Sequence, residues 1–382
     1  MRDTPVSRLL QCGQSVWLDG VSRRALLSGE LVALIQEDGV SGVGCSTAVL
    51  EHAIAAGSDY DADIAHLAQS GLPPLSIYDA LLVDDVRAAA DLLLPVYQQS
   101  GGSDGFVTLE LSPHLAHDAS AMVLEARRLR DLADRPNVFI KMAGTLEAVA
   151  ALRQLVSEAV NVRVDPVFSV PRYRAVAEAY LDGLSRRAAR GLPLERVASV
   201  VGLPLGGIDR VLEPLLSRVA LASDSGRVLA GALRGEGGIA LAKVLRGVNR
   251  EMHRDSRFLA LAARGGRPQR LAWVCSGAKE AASFDLRYPE ALVGPETVQV
   301  MSPGVLAAYR ERGRPVSRLD LGAQDAQALL EQLCALGIDP DRLAQELEDE
   351  GVQRLARPYD SLLRNIELKR SAALAGGREG GG

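Results

Sequence analysis

The sequence predicts an α/β fold, a closed (β/α)₈ barrel of the TIM type with additional C-terminal helices. Eight short apolar runs alternate with longer segments whose apolar residues recur at i, i+3, i+4 and i+7. The 382 residues exceed the ~250 usual for such a barrel, which leaves room for additions. An open doubly wound sheet is the rival. No GxGxxG or GxxxxGKS/T fingerprint occurs, and Asp19-Gly20-Val21-Ser22 follows the first strand instead.

The predicted strands are 16–18, 42–45, 105–111, 138–142, 162–167, 197–201, 271–275 and 298–301. In the third, Phe106, Thr108 and Glu110 share one side by the period of two. The fourth reads Val-Phe-Ile-Lys-Met, with Lys141 where an apolar residue is expected. The fifth carries Arg163 and Asp165 on one face. Helical periodicity spans 50–69, 84–99, 121–134, 145–159, 172–191 and 208–223, and three further helices are expected at 325–337, 341–351 and 352–366. The Gly-Gly pairs at 101–102, 206–207, 237–238 and 265–266 read as turns at element boundaries. The expected organisation is a lead-in over 1–13, a barrel over 14–319, helices packed on it over 320–369, and a small-residue, glycine-rich disordered tail over 370–382.

Composition narrows the function. Hydrophobic residues make up 47% and charged residues 24%, an ordinary globular balance. A net charge of −5 supplies no general attraction for nucleic acid. Four scattered cysteines without a CxxC pair fit a reducing cytoplasm. The first residues lack the apolar core of a signal peptide, and no stretch has the ~20 consecutive apolar residues of a membrane span, so neither a leader nor a membrane partner is expected.

In a barrel the βα loops meet at the C-terminal strand ends, so polar residues there are the first candidates for chemistry. Those ends carry Asp19, Ser46, Glu110, Lys141, Arg163, Asp165, Lys279 and Ser302. A partly desolvated Lys141 can lose its proton and add to a carbonyl; the bland alternative is a stem on the strand with its amine in solvent. Glu110 is placed to shuttle a proton or to form an internal salt bridge with Lys141. Asp19 reads either as an acid/base group or as a turn residue. Nearby carboxylates favour the Lys141 ammonium while Arg163 and desolvation favour the amine, and both outcomes stay open at this level. His114 and His117 lie three apart with no third ligand placed by spacing, so no metal site is expected.

The stretches GQSVWLDGVSR, GELVALIQEDGVSGV, DGFVTLELSPHLAHD, RPNVFIKMAGT, FSVPRYRAVAEAYLDGLSRR and VGPETVQVMSP, in this order, resemble the transaldolase family of the longer bacterial type from about Gln14 to about Leu368. The resemblance implies a barrel that transfers a dihydroxyacetone unit between sugar phosphates through a lysine Schiff base, with no metal or organic cofactor. It implies that Lys141 of IKMAGT is the Schiff-base lysine. Glu110 of LELSP then works through the catalytic water, and Asp19 of WLDG handles the proton of the cleaved hydroxyl.

The surroundings depart from the family pattern. Ser46 stands for the asparagine of TSNPT. Arg163 and Asp165 stand for an asparagine and a threonine, Gly202 and Gly207 for a serine and an arginine, and Gly277 for a serine, while Lys279 keeps a cation. Each lost charge-assisted bond is worth roughly 1.5 to 3 kcal/mol, so weakened recognition of a sugar phosphate is expected. The glycines at 202, 206, 207 and 277 are expected to enlarge the mouth. Ser46, Arg163, Asp165 and Lys279 are the expected substrate-binding residues. The leading expectation is a transaldolase-like enzyme working through Lys141 with altered specificity extending to non-phosphorylated carbonyl compounds. The alternatives are authentic transaldolase and an inactive barrel that binds or scaffolds; a homo-oligomer is admitted.

Overall fold

The computed structural model describes residues 2–222, 224–275 and 286–379. Eight parallel strands close into a barrel in the order β1 to β8. They are β1 Ser15–Leu18, β2 Val40–Cys45, β3 Phe106–Glu110, β4 Val138–Met142, β5 Val162–Val164, β6 Ser199–Pro204, β7 Arg270–Cys275 and β8 Thr297–Met301. Pairing of Ser15 with Val298 and Leu18 with Met301 joins the first strand to the last. The expected (β/α)₈ barrel with C-terminal helices is the observed fold. Strand β5 is shorter than the 162–167 predicted, because Pro166 has no N–H to give the ladder. Asp165 still donates its backbone N–H to Met142 O at 3.0 Å, so its side chain keeps the inward alternation of Arg163.

Alternate residues fill the barrel. Trp17, Phe106, Phe139, Val200, Ala272, Val274, Val298 and Val300 form one buried cluster inside it, with Phe106 and Phe139 ring centroids 4.3 Å apart. Gly42 makes this possible: a Cβ there would meet the Trp17 ring at 2.7 Å. Below the aromatic layer, Asp104 accepts from Trp17 Nε1 and Ser41 Oγ, each at 2.8 Å, and plugs the N-terminal end. Asp104 and Arg270 hold the N-terminal end, and a separate group of ionisable residues sits at the opposite, C-terminal mouth.

Three helical expectations change. The run over 50–69 is two helices, Thr47–Ala56 and Asp61–Gln69, parted at Gly57, where a Cβ would lie 2.8 Å from Ala53 O. The three C-terminal helices are two, Ala323–Ala335 and Pro340–Glu379, the second continuous through Pro358. That helix also takes in residues 370–379, expected as tail. Arg370 Nε donates to Leu72 O at 2.9 Å and Leu374 packs against the core, contacts that hold the extension.

The long C-terminal helix lies across the barrel mouth. Gly351 approaches Pro166 and Phe168 after β5, Asp360 accepts from His114 Nε2 at 2.7 Å in the loop after β3, and Ser361 donates to Glu51 at 2.8 Å in the helix after β2. Its buried face includes Gly351, Tyr359, Leu362 and Ile366, spaced three to eight residues apart.

Candidate active site

Strand register brings the inward charges together. Glu110 is aligned with Lys141, and Lys141 with Arg163. Lys141 Nζ donates to Glu110 Oε1 at 2.6 Å. The other carboxylate oxygen, Oε2, accepts from Thr47 Oγ1 at 3.1 Å and Thr47 N at 3.4 Å. Arg163 Nε donates to Asp165 Oδ2 at 3.1 Å, and this second pair is almost fully buried. Glu110, Lys141 and Asp165 line one narrow cavity with Leu355 of the C-terminal helix above it.

Five ionisable groups therefore share one buried mouth, and their fields sort their protonation. Burial alone would strip the Lys141 ammonium of its proton, but Glu110 and Asp165 outweigh it together with the opposing Arg163, so the Lys141 pKa is raised. Burial opposes the Glu110 carboxylate, yet the Lys141 ammonium and the two Thr47 bonds hold its pKa down. The same balance, with Arg163 foremost, lowers Asp165 against its burial. Asp19 behaves oppositely: burial raises its pKa despite Arg163 and Lys141.

Of the groups anticipated from sequence, Lys141, Glu110, Asp19, Arg163 and Asp165 converge. Ser46 is half-buried and N-caps the helix Thr47–Ala56 without a side-chain capping bond, which leaves its hydroxyl uncommitted to the helix. Gly277 and Lys279 lie outside the described residues. Gly202 does not enlarge the mouth as expected, because the Asp165 side chain occupies its space: a Cβ there would lie 2.5 Å from Asp165 Cγ. Gly206 does face open space, and Gly207 has only Phe168 Cε1 at 3.8 Å. His114 and His117 pair with Asp360 and Glu147, and among the described residues no group of three or more His, Cys, Asp or Glu is placed to hold a metal.

Sequence reasoning placed Thr108 beside Glu110 on one side of the third strand but named neither it nor Thr47 as a site residue. Thr47 stands beside the Ser46 singled out after β2, and it holds the outer oxygen of Glu110. Thr108 lies two residues before Glu110 on the same inward side, with a buried Oγ1 that has no hydrogen-bond partner among the described residues.

The sequence profile of transaldolase/fructose-6-phosphate aldolase matches residues 16–366, nearly the whole barrel and most of the helix across its mouth. The chain belongs to this family. It is 41% identical to a transaldolase of Thiobacillus denitrificans over 94% of this chain and 98% of that protein. It is 35% identical to transaldolase 2 of Streptomyces coelicolor over 97% and 99% of the two chains, and 36% identical to a transaldolase of Mycobacterium bovis over 94% and 95%. Among the described residues no helix is long and apolar enough to cross a membrane.

Proposed function

We propose that this family member makes, breaks or transfers a carbon–carbon bond beside a carbonyl through a Schiff base on Lys141. The observation that carries the reading is the Lys141–Glu110 pair at 2.6 Å in a buried mouth beside Asp19. In the resting site Lys141 is an ammonium and Glu110 a carboxylate. Transfer of one proton across that bond yields amine and carboxylic acid, and the amine adds to the substrate carbonyl. Glu110 then returns the proton to the carbinolamine hydroxyl, which leaves as water as the iminium forms. The iminium accepts the electron pair of the adjacent carbon–carbon bond when that bond breaks, and supplies the pair in the reverse direction. Asp19 takes up and returns the proton of the hydroxyl on the departing carbon. Its raised pKa suits it to keep that proton between half-reactions.

The family and the names of its relatives support a small carbonyl or sugar substrate. Ser46, Arg163, Asp165 and Lys279 are the proposed substrate-facing residues. The Arg163–Asp165 pair and the Gly202 that admits it support a specificity different from the pattern with Asn, Thr and Ser at these places. We place the protein in the cytoplasm on its free, scattered cysteines. The test is product analysis with phosphorylated and neutral ketoses, with and without an aldose acceptor. Cleavage or transfer abolished in Lys141→Ala supports the reading; full turnover in that variant overturns it.

A further inference from the structure

Among the described residues, Lys141 and Arg163 of the mouth are each paired with a carboxylate, so the rim is the place to look for further cations facing a charged substrate. The helix across the mouth supplies it. Leu355 points into the Lys141 cavity, and its neighbour Arg354 is exposed on the flank of the same turn. Glu350 and Arg357 lie one turn to either side on the same flank, at the i, i+4, i+7 spacing of one helical stripe. From the helix Leu205–Ala222, Arg210 Nη2 grips both Glu350 oxygens at 2.9 and 2.8 Å and ties the two helices together. Three guanidinium groups thus gather about one carboxylate. Arg354 and Arg357 form no ion pair with another described residue. In the first turn of the helix that carries Arg210, Gly206 faces open space and Gly207 has only Phe168 Cε1 at 3.8 Å.

We propose that Arg354 and Arg357, steadied by the Arg210–Glu350 clamp, form an anion subsite on the C-terminal helix that holds a phosphate or carboxylate of the substrate whose carbonyl reaches Lys141. The cavity roof and the cations belong to one helix, so gripping the anion also fixes Leu355 over the reacting carbon. The field of Arg354 reaches into the mouth, where it contributes to the lowered pKa of Asp165, and both Arg354 and Arg357 act on Glu350. Guanidinium forks suit phosphate and carboxylate alike, so the chemistry assigned is a monoanionic or dianionic oxyanion. This inference rests on the imine reading and names the substrate class for it.

The test is borohydride trapping over a concentration series of fructose 6-phosphate, pyruvate, fructose and dihydroxyacetone, in the wild type and in Arg354→Ala/Arg357→Ala. Both side chains are exposed, and circular dichroism checks that the fold is retained. The half-trapping concentration for the better anionic probe, divided by that for its neutral counterpart, is expected to rise by about 10- to 100-fold in the double variant, the loss of one to two charge-assisted bonds. Arg354→Lys/Arg357→Lys is expected to recover part of it. A shift confined to fructose 6-phosphate identifies phosphate, and one confined to pyruvate identifies carboxylate. An unchanged ratio overturns the subsite. If the wild type is trapped by no probe, the imine reading falls, and titration with inorganic phosphate reads the subsite by itself. Binding lost in the double variant supports it; no binding, or equal binding in both proteins, overturns it.

Discussion

Gly202→Ala should loosen the charged mouth through a single methyl group. Its Cβ would lie 2.5 Å from Asp165 Cγ, 2.6 Å from Oδ2 and 2.9 Å from Cβ, so the carboxylate has to leave its place. Arg163 then loses the partner on which its Nε and Nη2 both converge. Overpacking by itself costs about 1 to 3 kcal/mol, and stripping a buried charge of its partner about 3 to 5 kcal/mol. Because Asp165 is displaced rather than deleted, about 3 kcal/mol of destabilisation is expected, read from denaturant midpoints at constant slope. In an Asp165→Ala background the contacts to Cγ and Oδ2 vanish, only the one to Cβ remains, and the pair is already absent. There Gly202→Ala should cost about 1 kcal/mol, a coupling of about 2 kcal/mol in the double-mutant cycle. Costs equal within about 0.5 kcal/mol in the two backgrounds would refute the interlock.

Three further outcomes are expected. Glu110→Gln removes the carboxylate that holds Lys141 as an ammonium, so the rise of adduct formation with pH, as the free amine appears, should move to lower pH while the maximal rate falls about 100- to 1,000-fold; an unmoved rise contradicts the assigned proton balance. Thr47→Val deletes the 3.1 Å bond to Glu110 but keeps the backbone donor. The Glu110 pKa should rise and adduct formation should slow by about 10-fold, whereas an unchanged pH profile would remove Thr47 from the site. Burial holds the His253 pKa at about 4 against 6.5 for the free side chain, so the folded protein keeps this ring neutral where the unfolded chain protonates it. Its contribution is intact above pH 6.5 and is lost as pH falls toward 4, at most about 3 kcal/mol. His253→Gln should flatten stability over that window, and an identical slope in both proteins would contradict the assignment.

The barrel was legible because its determinants are local. Eight β-rich runs between 3.6-periodic segments specify the alternation of elements, and Lys141 within Val-Phe-Ile-Lys-Met marks a strand whose inward position meets something other than a core. Glu110 and Asp165 followed from the period of two. What escaped depends on relations between strands or between distant segments. Only the register of β5 against β6 shows that Gly202 is a socket for Asp165 rather than an enlargement of the mouth. Thr47 reads as an ordinary helix-opening threonine until β2 and β3 are set side by side. The direction taken by the C-terminal helix is settled by tertiary partners such as Glu51, His114 and Arg210, so its own periodicity could not announce that it roofs the site. The boundary expected after Gly351 is absent because that glycine is buried against Pro166 and Phe168 within one continuous helix.

The central claim is covalent chemistry at one side chain, and the chain has only four lysines: Lys141, Lys243, Lys279 and Lys369. Borohydride reduction in the presence of the accepted carbonyl compound, followed by peptide mapping, assigns the adduct among them directly. The account predicts one stoichiometric adduct, on the peptide containing Lys141, absent from Lys141→Ala and formed more slowly in Glu110→Gln. An adduct on another lysine, or turnover of that compound with no lysine modified, would contradict it.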